Sequence, residues 1–85
     1  MLKVKFSKLS ERFLKRCNLE IYERITKKIK KLSEEPFPSN SVRITNRKEK
    51  VFRVRVGYYR IIYALFKEKN LLFISEINKR SRIYN

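Results

Sequence analysis

VFRVRVGYYRIIYALF, residues 51–66, is the stretch whose reading decides the fold. Phe52, Val54 and Val56 alternate with Arg53 and Arg55, the period of two that marks a half-buried strand. One face of that strand is apolar and needs a covering layer. The other projects two guanidinium groups side by side. Gly57, the only glycine in the chain, permits a tight turn or bulge because it takes positive φ without a Cβ penalty. From Tyr59 to Phe66 the chain is almost continuously apolar, rich in aromatic and branched residues, with Arg60 near its start. That composition predicts a central strand covered on both faces. The stretch thus supplies the sheet core and projects Arg53, Arg55 and Arg60 from a rigid platform.

Upstream, Leu2, Val4 and Phe6 alternate with Lys3 and Lys5, a short strand whose outward lysines suit a sheet edge. Ser7 or Ser10 then caps a helix on which Leu9, Phe13 and Cys17 form an apolar stripe. Asn18 reads as a break and a new N-cap. Ile21, Ile25, Ile29 and Leu32 make the stripe of a second helix ending near Glu35. Its late lysines complement the helix dipole, and a solvated helix face is their default role. So short a connection implies a helical hairpin facing a common sheet. Pro36-Phe37-Pro38 stops the helix. Residues 39–50 are the least regular, with a brief strand at Val42 and Ile44. Residues 71–77 make a last strand, and the tail NKRSRIYN, 78–85, is polar and basic. The fold class is α+β: an N-terminal strand, a helical hairpin, then a three- to four-stranded, mainly antiparallel twisted sheet, all in one domain, 1–85.

Twenty-three Lys and Arg against eight acids give a formal charge of +15, which attracts polyanions such as nucleic acid, an anionic membrane or an acidic protein. From Arg43 to Arg60 seven basic residues (Arg43, Arg47, Lys48, Lys50, Arg53, Arg55 and Arg60) face one acid, Glu49. The longest apolar run falls far short of the roughly 20 residues of a spanning helix, and the N-terminus lacks an apolar signal core. A cytoplasmic protein without membrane association is expected. Cys17 is the single cysteine, so no internal disulfide forms, and it reads as a small core residue rather than a reactive thiol.

The chain has no histidine and no second cysteine, and its acids are scattered. Ser-His-Asp, Cys-His and paired-histidine mechanisms are therefore excluded, a metal centre is not expected, and no cofactor is implied. Arginine, lysine and tyrosine remain. Arginine grips phosphate through a bidentate fork and stabilises charge that builds on phosphoryl oxygens. Tyrosine stacks on a base or, with a lowered pKa, transfers a proton. Such a set can cleave RNA by activating the 2′-hydroxyl against its own phosphate, or simply bind RNA. Residue types alone favour binding.

FRVRVGYYRIIY at 52–63, an apolar strand after it, and KRSRIY at 79–84 closely resemble the RelE/ParE toxin family, and archaeal RelE in particular. The matching positions are Gly57, the run Tyr59-Arg60-Ile61-Ile62-Tyr63, and Arg80 with Tyr84; the preceding helical hairpin also fits. The resemblance spans essentially the whole chain, though residues 43–50 lack the family's usual K-L-K-G form.

The resemblance implies a toxin of a type II toxin–antitoxin pair that enters the ribosomal A site and cleaves mRNA without metal. Carried over, Arg55 sits near the scissile phosphate and Arg80 stabilises the transition state or leaving group. Tyr84 stacks on the mRNA or acts as base. Arg43, Arg47, Lys48, Arg53, Arg60, Lys79 and Arg82 are candidate RNA contacts. Arg53 and Arg60 have a structural alternative, holding the sheet face or pairing with Glu76. The implied partners are an acidic RelB-like antitoxin, in a heterotetramer, and the small-subunit rRNA and mRNA of the ribosome. Two other functions fit the same residues: a ParE-like inhibitor of DNA gyrase, and a non-catalytic RNA- or ribosome-binding module.

Overall fold

A computed structural model of the chain describes residues 1–44 and 50–79. The elements run β1 (Lys3–Phe6), α1 (Lys8–Arg16), α2 (Leu19–Glu34), β2 (Val42–Arg43), β3 (Val51–Val56), β4 (Tyr59–Phe66), a 3-10 turn (Lys67–Lys69) and β5 (Leu71–Lys79). The strands form one five-stranded sheet in the order β1-β5-β4-β3-β2. β1 runs parallel to β5, and the other pairs are antiparallel. The lysine-bearing β1 is an edge strand, as its pattern predicts.

The caps explain where the helices begin. The Ser7 hydroxyl oxygen accepts from the Ser10 N–H at 3.1 Å, and the Asn18 side chain accepts from the Ile21 N–H at 2.9 Å. Each satisfies a donor that the first helical turn leaves unpaired. α2 gives up helical geometry at Glu35 (φ −140°, ψ 95°), where the following Pro36 disfavours the α region.

Both helices lie on one face of the sheet. Ile25, Ile29 and Leu32 of α2 pack with Val54, Ile61, Tyr63, Leu72, Ile74 and Ile77, and Phe13 and Leu14 of α1 join them. Each such aliphatic side chain contributes about 1.5–3 kcal/mol by leaving water. Where α2 ends, the 36–38 segment continues the cover. The Tyr63 hydroxyl donates to the Pro36 carbonyl at 2.7 Å, and Phe37 packs edge-on against Phe52 at 5.1 Å.

Two expectations need correction. The stripe on α1 is not Leu9, Phe13 and Cys17: Leu9 is 60% exposed, and the inward positions are Ser10, Phe13 and Leu14. Ser10 is fully buried because its hydroxyl proton reaches two carbonyls, Ser7 at 2.9 Å and Ile74 at 3.0 Å. Nor do helices cover both faces of β4. Among the described residues the helical layer sits on the side of Ile61 and Tyr63 alone, while Arg60, Ile62, Ala64 and Phe66 point the other way. The run is apolar because β4 is the middle strand, where neighbours shield both sides, and not because two layers enclose it.

β5 carries a bulge. Ile62 pairs with Glu76 and Tyr63 with Ile74, so Ser75 has no partner on β4. Leu72 and Ile74 face the helices before it, Ile77 and Lys79 after it. Its carbonyls are held from α1: the Ser7 hydroxyl donates to Ser75 at 2.6 Å and the Ser7 N–H to Ile74 at 2.9 Å. The extra residue turns Glu76 and Asn78 onto the helix-free face.

Candidate functional site

The helix-free face of the sheet divides into two halves. Toward one end lie Val51, Ala64 and Phe73, aligned across β3, β4 and β5. Toward the other lie the polar residues. Arg53 pairs with Ile62 and then Glu76; Arg55 pairs with Arg60 and then Asn78. Directly opposed residues on neighbouring strands share a face, so Arg53, Arg55 and Arg60 stand together on it. The hairpin enforces this. Val56 pairs with Tyr59 across a two-residue turn, Gly57-Tyr58, and Gly57 takes φ +60°. Positive φ at the first turn position alone is the II′ pattern, which keeps the register in step.

Arg53 and Arg55 are exposed, and with Asn40 and Val42 they line a depression of ≈ 260 Å³. Arg60 is half-buried. Its Nε donates to Asn78 Oδ1 at 3.0 Å, and Asn78 Nδ2 donates to Glu76 Oε2 at 2.7 Å. The acid proposed as its partner is thus reached through an amide. Glu76 is the one carboxylate on this face among the described residues. Asn78 is not among the site residues that the sequence points to. The signal is masked, because residues 71–74 are all apolar and Leu71, Phe73 and Ile77 keep a period of two; the bulge that turns Asn78 toward the arginines is visible only in the register of β4 and β5.

The remaining basic residues divide. Arg43 pairs with Phe52, which faces the helices, so it stands at the sheet margin on the opposite face from Arg53 and Arg55. Lys79 pairs with Tyr59 and also belongs to the helix side. There it lines a cavity of ≈ 470 Å³ with Arg12, Arg16, Phe13, Tyr59 and Ile77. Phe13 meets Tyr59 edge-on at 5.6 Å in the same region. Arg47, Lys48, Arg80, Arg82 and Tyr84 lie outside the described residues. Cys17, the C-cap of α1, is half-buried, its thiol 3.5 Å from the Leu14 carbonyl, and it lines the same cavity as Lys79 rather than joining the core cluster.

Chemically, the helix-free face offers a row of guanidinium groups on rigid backbone. Adjacent strands are about 4.8 Å apart, so neighbouring arginines reach one phosphodiester or two consecutive ones. Fixed cations of this kind stabilise charge that develops on phosphoryl oxygens without reorganising during the reaction.

Comparison with known proteins gives the family and the fold. A family model described as ParE toxin of type II toxin-antitoxin system, parDE, matches residues 4–84. No curated protein sequence matches. Among solved structures, the archaeal RelE-RelB complex from Pyrococcus horikoshii OT3 superposes with a TM-score of 0.83 at 24% identity, covering 95% of this chain and 97% of that one. The isolated E. coli RelE toxin gives 0.82 at 18% identity, covering 99% and 92%. The RelBE2 toxin-antitoxin complex of Mycobacterium tuberculosis gives 0.78 at 23%, covering 93% and 98%. At these identities the superpositions establish a shared RelE fold. With a family model spanning nearly its whole length, this chain belongs to the ParE toxin family of type II toxin–antitoxin systems, and it carries the RelE fold.

Proposed function

We propose that this toxin is a ribosome-dependent endoribonuclease that cuts mRNA in the A site and so stops translation. The observation that carries the reading is the helix-free sheet face on which Arg53 and Arg55 stand exposed beside Arg60. In the reaction the 2′-oxygen attacks the adjacent phosphorus, the bond from phosphorus to the 5′-oxygen breaks, and the proton lost by the former is replaced on the latter. Arg55 holds the scissile phosphate, with Arg53 and Arg60 along the backbone. By the family resemblance, Arg80 steadies the transition state or leaving group and Tyr84 stacks on the mRNA or takes the proton. Arg43, Arg47, Lys48, Lys79 and Arg82 serve as RNA contacts outside the reacting centre. A chain without histidine has no side chain of ordinary pKa suited to both proton transfers at neutral pH, so geometry imposed by the ribosome must supply much of the acceleration.

The reading includes an acidic RelB-like antitoxin bound in a heterotetramer in the cytoplasm. Charge complementarity to a +15 chain supports it, as do superpositions on toxins solved with their antitoxins.

Primer extension on a translating mRNA tests the reading. Wild-type protein should cut ribosome-bound message, resist chelator, and cleave the same RNA poorly without ribosomes. Arg55→Ala should slow cutting by about 10²-fold, the scale for removing one preorganised charge donor. Arg55→Lys should recover part of it, because a point charge lacks the fork. Equal cleavage of a free oligonucleotide would overturn ribosome dependence. Since the matching family model is that of ParE toxin, gyrase inhibition is the second reading. Growth arrest with intact mRNA and inhibited supercoiling would establish it instead.

A further inference from the structure

We infer that Asn40 reads the base of a nucleotide whose phosphate Arg53 and Arg55 hold, and that the base it takes is adenine; this rests on the nuclease reading in taking RNA as the ligand of the face. Asn40, Val42, Arg53 and Arg55 line one depression of ≈ 260 Å³. Arg53 and Arg55 supply the charge for a phosphodiester. Val42 lies directly opposite Arg53 in the β2–β3 ladder, so it shares that face, and it is 48% exposed. An apolar side chain beside two cations gives a base a surface on which to leave water. Asn40 is exposed, and its amide makes no hydrogen bond within the described residues. Charge, apolar surface and a free donor–acceptor pair thus meet in one place.

The backbone that presents Asn40 is held from behind. The Ser41 N–H donates to the Pro38 carbonyl at 3.0 Å, which closes a turn with Ser39 and Asn40 at its centre. Before the turn, the Pro36 carbonyl accepts from the buried Tyr63 hydroxyl at 2.7 Å, and Phe37 packs on Phe52 at 5.1 Å. After it, Val42 enters the sheet. A turn anchored on both sides loses little freedom when a ligand arrives.

A primary amide presents a donor and an acceptor side by side. Adenine presents the complementary pair on both of its edges, N6–H with N7 and N6–H with N1. Guanine, cytosine and uracil do so on the Watson–Crick edge alone. In a single strand both edges are open. Whichever edge enters the depression, adenine satisfies the amide with two bonds, and no other base does.

Anisotropy of labelled oligouridylates that carry a single adenine, guanine or cytosine tests this on the full chain. Wild-type protein should favour the adenine oligomer by about fivefold or more, the lower end for one bidentate amide–base pair. Asn40→Ala should bind the three equally. Asn40→Asp, whose carboxylate only accepts, should turn the preference to guanine, whose Watson–Crick edge sets two donors side by side. Primer extension on ribosome-bound mRNA gives a second readout. Wild-type cuts should carry adenine at one fixed position beside the break, and cuts by Asn40→Ala should lose it. Equal affinity of wild-type protein for the three oligomers would overturn the inference. So would an adenine preference that survives in Asn40→Ala or Asn40→Asp. Adenine preference that depends on Asn40, in a protein that cuts no mRNA, would defeat the nuclease reading and leave the base site standing. Cuts by Asn40→Ala that keep the wild-type adenine pattern would do the reverse.

Discussion

Single residues on this sheet do two different kinds of work, and Tyr63 shows the structural kind. Its ring stacks on Phe52 at 5.6 Å, and its hydroxyl ties the sheet to the Pro36 carbonyl. Burial pushes its phenol above the usual tyrosine range, with a Ser41 hydrogen bond acting in the opposite sense. A raised pKa in the folded state means that the native protein holds this proton more tightly than the unfolded chain. The corresponding stability is fully present below the unfolded value of about 10 and is lost as pH rises through the higher folded value. Tyr63→Phe should cost about 1 kcal/mol at neutral pH, for one buried hydrogen bond. Above about pH 10 the gap to wild type should narrow, because the variant has no phenol to ionise. Urea denaturation of both proteins from pH 7 to 11 measures this, and a constant gap would refute it. Arg53 and Arg55 are of the other kind: exposed, and dispensable for packing.

Among the elements, the β3–β4 hairpin sets the geometry of the basic face, and Gly57 sets the hairpin. Its φ of +60° is a conformation that side-chain-bearing residues rarely adopt. A Cβ there would also meet Arg24 Nη2 at 2.7 Å. The arginine is the far end of a flexible side chain and can move; the backbone angle cannot. Gly57→Ala should therefore destabilise by about 1–2 kcal/mol. Arg24→Ala in the same chain should restore little of that loss. Thermal unfolding of the two single variants and the double variant separates the causes. Full recovery in the double variant would mean that contact, and not φ, dominates. The bulge on β5 is the second decisive element, held in place by Ser7 and the buried Ser10 of α1.

Over the whole molecule, +15 of charge on 85 residues produces a general attraction to polyanions, on which the local site must be superimposed. Salt dependence distinguishes the two. Each phosphate contact on single-stranded RNA contributes about 0.7 to the slope of log affinity against log salt. Arg53→Ala, on the helix-free face, should lower that slope by about 0.7. Lys30→Ala, exposed on α2, should leave it nearly unchanged. Anisotropy of a labelled oligoribonucleotide titrated across potassium chloride concentrations measures both. Equal effects would mean that RNA is held by net charge rather than by this face.

The sequence by itself determined the local periods, the caps and the breaks, because these depend on residues a few positions apart. Asn18, Pro36 and Gly57 mark boundaries that the fold respects. The alternation in residues 51–56 was enough to place Arg53 and Arg55 on one face, while Arg60 joins them through the register of β3 with β4. Only the tertiary structure decided which faces are covered and what opposes what. Arg43 belongs to the other face because β2 pairs with β3 in a register that residues 39–50 do not announce. Ser10 is inward, and Leu9 outward, because the Ile74 carbonyl, on a strand more than sixty residues away, accepts the serine hydroxyl. Asn78 reaches Arg60 because a bulge, stabilised from α1, shifts the phase of β5 by one residue. In a strand a shift of one residue exchanges the two faces, so contacts distant in sequence, and not local pattern, choose the side chains that meet at the site.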